Sequence, residues 1–124
     1  MLKDKSSSAI VAVSDMARAR AFYETTLGLP IDGDADDNVL VFKTGETFLV
    51  VYRSDEAGSN RANAVVWGVG DEIDDIAKTL KSKGVSFEHY PGIGTLDGDV
   101  HVDGTFKMVW FKDPDGNLLH LNSM

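Results

Sequence analysis

Two stretches of this chain, fifty-six residues apart, carry the same punctuation. "AIVAVSD" ends at Asp15 and "AVVWGVGD" ends at Asp71. Thirteen residues after each aspartate stands a glycine, Gly28 in "LGL" and Gly84 in "KGV". Self-similarity at a fixed offset means one supersecondary unit used twice, which limits the fold more than any single motif does. An aspartate at a helix start accepts a hydrogen bond from an orphan backbone N–H. A glycine at the end supplies the left-handed residue that closes the last turn. Between these marks, Met16, Ala19, Phe22, Tyr23 and Leu27 recur at helical spacing, as do Ile73, Ile76, Ala77 and Leu80. Both stripes are expected to pack on a sheet.

Each helix is followed by extended segments. "NVLVFK" and "TFLVVYR" flank "TGE", and "FKMVWFK" and "NLLHLN" flank "DPDG". Both read as hairpins, the second with a proline that presets φ and a glycine that permits a positive φ. A less regular strand is expected before each hairpin, near residues 29–34 and 85–90. The expected fold class is α+β. Two βαβββ modules, about 7–54 and 64–122, form a single domain over residues 1–124, joined by the polar linker 55–63, "DEAGSNRAN". "GIGTLDGDVHVDG" (92–104) reads as an irregular insertion in the second module.

Composition excludes several functions. A chain of 124 residues suits one compact domain, and 43% hydrophobic with 26% charged residues is ordinary for a soluble protein. There is no cysteine, hence no disulfide scaffold, thiolate metal site or cysteine nucleophile. The net charge of −8 leaves no basic footprint for nucleic acid. The apolar run near the start is cut short by Ser14 and Asp15, and no run reaches the ~18 residues of a membrane helix. A cytoplasmic location is expected. No Gly-rich phosphate loop stands at "GVGDEI", and "SSS" (6–8) reads as a flexible lead-in.

The double module, with "VSDMARARAFYETTLGL" in the first half and "FKDPDGNLLHL" in the second, resembles the vicinal oxygen chelate superfamily over roughly residues 8 to 122. That superfamily includes glyoxalase I, bleomycin and fosfomycin resistance proteins, and extradiol dioxygenases. The resemblance implies curled mixed sheets around a pocket, with helices on the outer face. It also implies where a metal would sit: near the start of the first strand of each module, and four residues after each hairpin glycine. In this chain those positions are Ser8, Leu49, Ala64 and His120. A divalent metal needs three or four coordinating side chains, and of these only His120 is a good ligand. No cofactor is therefore expected, a divalent metal being the alternative. Ligands would then have to come from elsewhere, such as His101 or Glu88, or from a second subunit.

His120 has three readings: a neutral histidine lining or bordering a pocket, a ligand-binding histidine, or a metal ligand or general base. As a catalytic residue it is weak, having no placed partner. Strand alternation implies which residues share its face. Leu49 and Arg53 share one face, Phe42 is expected to join Leu49, Val66 lies on the pocket face of its strand, and Trp67 turns towards the helix. If Lys112 pairs with Asn117, Phe111 joins His120. The ligand-binding set is then His120, Phe111, Phe42, Leu49, Val66 and Arg53, with Arg53 either holding an anion or reaching solvent past the strand end. His101, amid Asp97, Asp99 and Asp103, reads as part of a solvated lid or dimer-contact loop, a ligand-contacting lid, or a metal loop.

Two functions follow from the resemblance. One is a metal-free binder of an apolar or cationic small molecule, of the bleomycin-resistance type. The other is a metal-dependent lyase or dioxygenase. A homodimer is expected, with neither nucleic-acid nor membrane partners.

Overall fold

The computed structural model describes residues 1–124, which divide into two compact units, Met1–Ser59 and Asn60–Met124. Each is built as strand, helix, then hairpin.

In the first unit, β1 (Ala9–Val13) leads into α1 (Met16–Arg20), which continues as a π-helical segment, Ala21–Thr26. The Asp15 side chain caps the helix by accepting the Arg18 N–H at 3.0 Å. The wider turn shows at its end, where the Leu27 N–H donates to the Phe22 carbonyl five residues back, at 2.9 Å. Gly28 then takes φ +74°, the left-handed residue the sequence calls for. β2 (Val39–Thr44) and β3 (Thr47–Arg53) form a tight hairpin, and β1 lies parallel to β3, giving the order β1-β3-β2. The strand expected near 29–34 is reduced to one bridge, Ile31 to Phe42. The two backbone bonds beside it are Asp32 N–H to Val41 O and Lys43 N–H to Pro30 O.

The second unit repeats the plan. β4 (Asn63–Gly68) runs through a 3₁₀ turn (Gly70–Glu72) into α2 (Ile73–Ser82). Asp71 falls inside that turn and does not cap the helix; no side chain does. The turn itself supplies the entry, with the Glu72 N–H on the Val69 carbonyl at 3.3 Å. Gly84 ends the helix at φ +92°. β5 (Phe87–Glu88) pairs with β8 (Phe106–Lys112), and β9 (Leu118–Asn122) completes the hairpin and lies parallel to β4.

The segment 92–104 is not irregular. It forms a second hairpin, β6 (Thr95–Asp97) and β7 (Val100–Asp103), that extends the sheet in the order β4-β9-β8-β7-β6. Its own residues partly anchor it: Val100 and His101 are buried, while Thr95, Leu96 and Asp97 are exposed.

Alternation along the strands separates two faces in each unit. In the first, Val11, Val13, Leu40, Phe42, Leu49 and Val51 are buried. The Phe42 ring lies 5.9 Å from that of Tyr23, which is fully buried on the helical segment. In the second, Val65, Val109, Phe111, Leu119 and Leu121 are buried on the side where α2 turns Ile73, Ala77 and Leu80 inward. Lys107, of the same strand parity as Val109, pairs with Asp74 of α2. Each such side chain contributes about 1.5–3 kcal/mol by leaving water, so these helix-side faces hold the units together.

Candidate functional site

The strand pairing shows which residues share a row across each sheet. Phe111 pairs with Leu119, and Val65 also pairs with Leu119. The equivalent row of the first unit is Ala9, Leu49 and Phe42. Both rows lie on the helix side. The next rows, on the opposite and open face, are Ile10–Val50–Val41 and Val66–His120–Trp110.

This corrects the expected site. Lys112 pairs with Leu118, not Asn117, so Phe111 points away from the face of His120. Its ring meets Phe87 edge-on at 5.9 Å. Phe42 and Leu49 do share a face, but it is the helix side, where both are fully buried. The structural counterpart of His120 in the first unit is therefore Val50, not Leu49. The physical reason is the turns. Thr44 pairs with Thr47, leaving a two-residue loop, whereas Lys112 and Leu118 enclose five residues. Counting from the glycine of each turn thus slips by one, and a slip of one reverses every side chain. Arg53 follows Leu49 and Val51 in parity and is exposed at the end of β3. Of the six residues expected to bind ligand, Val66 and His120 lie on the open face. The parity of Trp67 is as expected: it pairs with Leu121 on the helix side.

Trp110 is the neighbour that counting missed. Its ring stacks on His120 with centroids 4.5 Å apart and planes 20° from parallel. Its indole N–H donates to Asn63 Oδ1 at 3.1 Å. Tyr90 and His101 meet the indole edge-on at 5.3 and 5.0 Å. Met108 and Leu118 complete this second cluster, with Tyr90 and Phe106 packed against it. The "FKMVWFK" and "NLLHLN" strands contained the signal, but only the true register puts Trp110 beside His120.

His120 is only 8% exposed. Its Nδ1–H donates to the Val109 carbonyl at 3.1 Å, and Nε2 faces the Asn122 amide Nδ2 at 3.4 Å. With one nitrogen on a carbonyl and the other facing an amide donor, the neutral ring is the form that fits. Burial lowers its pKa, and the Val109 hydrogen bond offsets part of that. Val66, directly across from it, is 57% exposed and is the accessible edge of the row.

His101 is not on a solvated lid. It is fully buried, its Nδ1–H donates to the Ile93 carbonyl at 2.8 Å, and its Nε2 accepts the Tyr90 N–H at 3.3 Å. Both nitrogens are used in holding the loop. Glu88 pairs with Lys112 at 3.1 Å. Both His101 nitrogens are thus occupied, and Glu88 is held by a surface ion pair.

A model of the Glyoxalase/Bleomycin resistance protein/Dioxygenase superfamily matches residues 6–121. The chain belongs to this superfamily. No curated protein matches it. Among solved structures, it is similar to lactoylglutathione lyase from Agrobacterium tumefaciens (TM-score 0.74, 18% identity, covering 98% of this chain and 95% of that one). It is also similar to the fosfomycin resistance protein FosX from Mesorhizobium loti (TM-score 0.72, 14% identity, 100% and 94% covered). At these identities the likeness shows the fold. A third, TnmS3, an antibiotic binding protein from Streptomyces sp. CB03234, shares 25% identity at TM-score 0.72, with 98% and 97% covered.

The superfamily's metal positions, with Val50 replacing Leu49, read Ser8, Val50, Ala64 and His120. Ser8 is exposed just ahead of β1, and valine and alanine cannot coordinate. One imidazole nitrogen and a serine hydroxyl do not fit a divalent metal that takes three or four strong ligands. No helix in this superfamily member is long and apolar enough to cross a membrane.

Proposed function

We propose that this chain is a small-molecule-binding protein of the bleomycin-resistance type that works without a metal. Its ligand would be apolar or cationic and would be held on the open face of the second unit's sheet. The observation that carries this reading is the state of His120. It is buried, stacked on Trp110 and hydrogen-bonded to the Val109 carbonyl, an arrangement suited to shaping an apolar surface rather than to moving a proton. Val66 would make first contact, with the His120–Trp110 stack behind it. Apolar burial would give most of the affinity and Asn122 a polar point of orientation. The net charge of −8 favours the approach of a cation over that of an anion. The likeness to TnmS3, an antibiotic binding protein, supports sequestration as the mode of action.

We also propose a homodimer. Ile10, Val39 and Phe48 are 60%, 39% and 38% exposed on the open face of the first unit, an apolar surface suited to a second copy. Light scattering on the purified chain tests this directly. The binding reading is tested by NMR titration with a panel of planar aromatic and cationic compounds, reading the Trp110 indole N–H and the Val66 methyls. Saturable shifts at both are expected. Their absence across the panel, together with turnover that requires an added metal, would overturn the reading.

A further inference from the structure

A groove of about 450 Å³ lies in the second unit between α2 and the β6–β7 hairpin. The first unit has no such hairpin, since only the Ile31–Phe42 bridge stands between its helical segment and β2. The groove is therefore a product of the insertion and is separate from the open face.

Two ion pairs tie its walls together. Lys81, in the last turn of α2, reaches Asp99 in the hairpin turn at 3.1 Å, and Lys107 of β8 reaches Asp74 in the first turn. Asp99 also meets His89 Nε2 at 2.9 Å, and the His89 and Lys81 hydrogen bonds hold its carboxyl below the usual range. Asp74 holds Lys107 above its ordinary value, and Asp97 adds to that field from further away. Those four charges already have partners. Lys78 and Asp97 also line the groove; both are exposed, and neither side chain makes a hydrogen bond or ion pair, Asp97 acting on Lys107 only through its field. Ala77 and Val100, both buried, form an apolar patch between the walls.

The lining thus offers one unpartnered ammonium and one unpartnered carboxylate beside a small apolar patch. With Asp74, Asp97 and Asp99 against Lys78, Lys81 and Lys107, the lining carries no net charge, so an ion of one sign gains little from it. A ligand carrying both signs satisfies both groups. The volume lies within the roughly 300–1,000 Å³ of small-molecule sites. We propose that this groove binds a small zwitterion of the α-amino-acid class, its carboxylate on Lys78 and its ammonium on Asp97.

The test is an NMR titration of the full chain with glycine and L-alanine, with acetate and ethylammonium as single-charge controls. Saturable shifts are expected at the backbone amides of Lys78 and Gly98 with the two amino acids and not with the controls. Lys78→Ala and Asp97→Asn should each weaken binding by about tenfold or more while changing the melting temperature little, since neither side chain has a hydrogen bond or ion pair to lose. Equal shifts with acetate or ethylammonium, no shift with either amino acid, or binding that survives both substitutions would overturn the proposal. The readout is independent of the Trp110 indole, so failure here and failure of the open-face reading are distinguishable.

Discussion

The rows Ile10–Val50–Val41 and Val66–His120–Trp110 occupy the same place in two copies of one motif, yet they differ in every residue. The adjacent helix-side rows nearly match: Leu49 corresponds to Leu119 and Phe42 to Phe111. Packing against a helix demands large apolar side chains of fixed volume, so the helix-side row has little freedom. The open face carries no such demand. In the first unit the row is aliphatic, and Ile10 is largely exposed. In the second it is aromatic and hydrogen-bonded, with His120 and Trp110 nearly buried. The helix-packed core thus falls on one face of the strands, and the difference between the two units lies on the other, the face proposed here to meet a ligand.

Substitutions can break this division. The largest effect is expected for Phe111→Ala and Phe42→Ala, each costing about 3–5 kcal/mol by removing a fully buried ring from the helix side. Chemical denaturation measures it. Were Phe111 on the open face, the loss would be smaller and ligand binding would suffer instead. Trp110→Phe should cost less, about 1–2 kcal/mol, from the lost Asn63 hydrogen bond and a weaker stack on His120.

A smaller effect concerns pH. The pKa of His120 is lowered from 6.5 in the fold, so the unfolded chain binds a proton that the folded chain refuses. Its contribution to stability is complete above pH 6.5 and declines as pH falls from there through the lowered folded value. Melting temperatures of the wild type should fall across that window, and those of His120→Gln should fall less. Parallel curves would mean that His120 is not buried as described. The smallest change is expected for Val66→Ala, within about 0.5 kcal/mol, because Val66 is mostly exposed. Its ligand affinity should nevertheless drop measurably in the titration of the Trp110 indole.

Much of the fold could be read from residues alone. The Asp15–Gly28 and Asp71–Gly84 spacing announced both helices, and the apolar strands and turn residues announced both hairpins. The second helix start was misjudged because a 3₁₀ turn can satisfy the first N–H groups without an aspartate cap. The 92–104 hairpin is hidden in the sequence because four glycines and three aspartates surround a short alternating strand, "VHVD". Which residues share a face was only partly legible. Val66 and His120 share a row, as strand alternation implies, whereas Phe42, Leu49 and Phe111 lie on the helix side. A face assignment needs hairpin register, and register depends on loop length, which composition does not give. Trp110 was lost in the same slip. Replacing Leu49 with Val50 at the positions where the resemblance places a metal leaves the donor set the same, since neither side chain can coordinate.

The most direct test of the account reads the His120 ring itself. Long-range ¹H–¹⁵N NMR spectra of the ring nitrogens, recorded at pH 7.5 before and after addition of Zn²⁺ or Ni²⁺, report tautomer and coordination together. The account predicts one neutral tautomer protonated at Nδ1, unmoved by either metal, with no metal-dependent rise in melting temperature. A stoichiometric shift of Nε2, with thermal stabilisation that disappears in His120→Ala, would contradict it and make the chain a metal-dependent member of its superfamily.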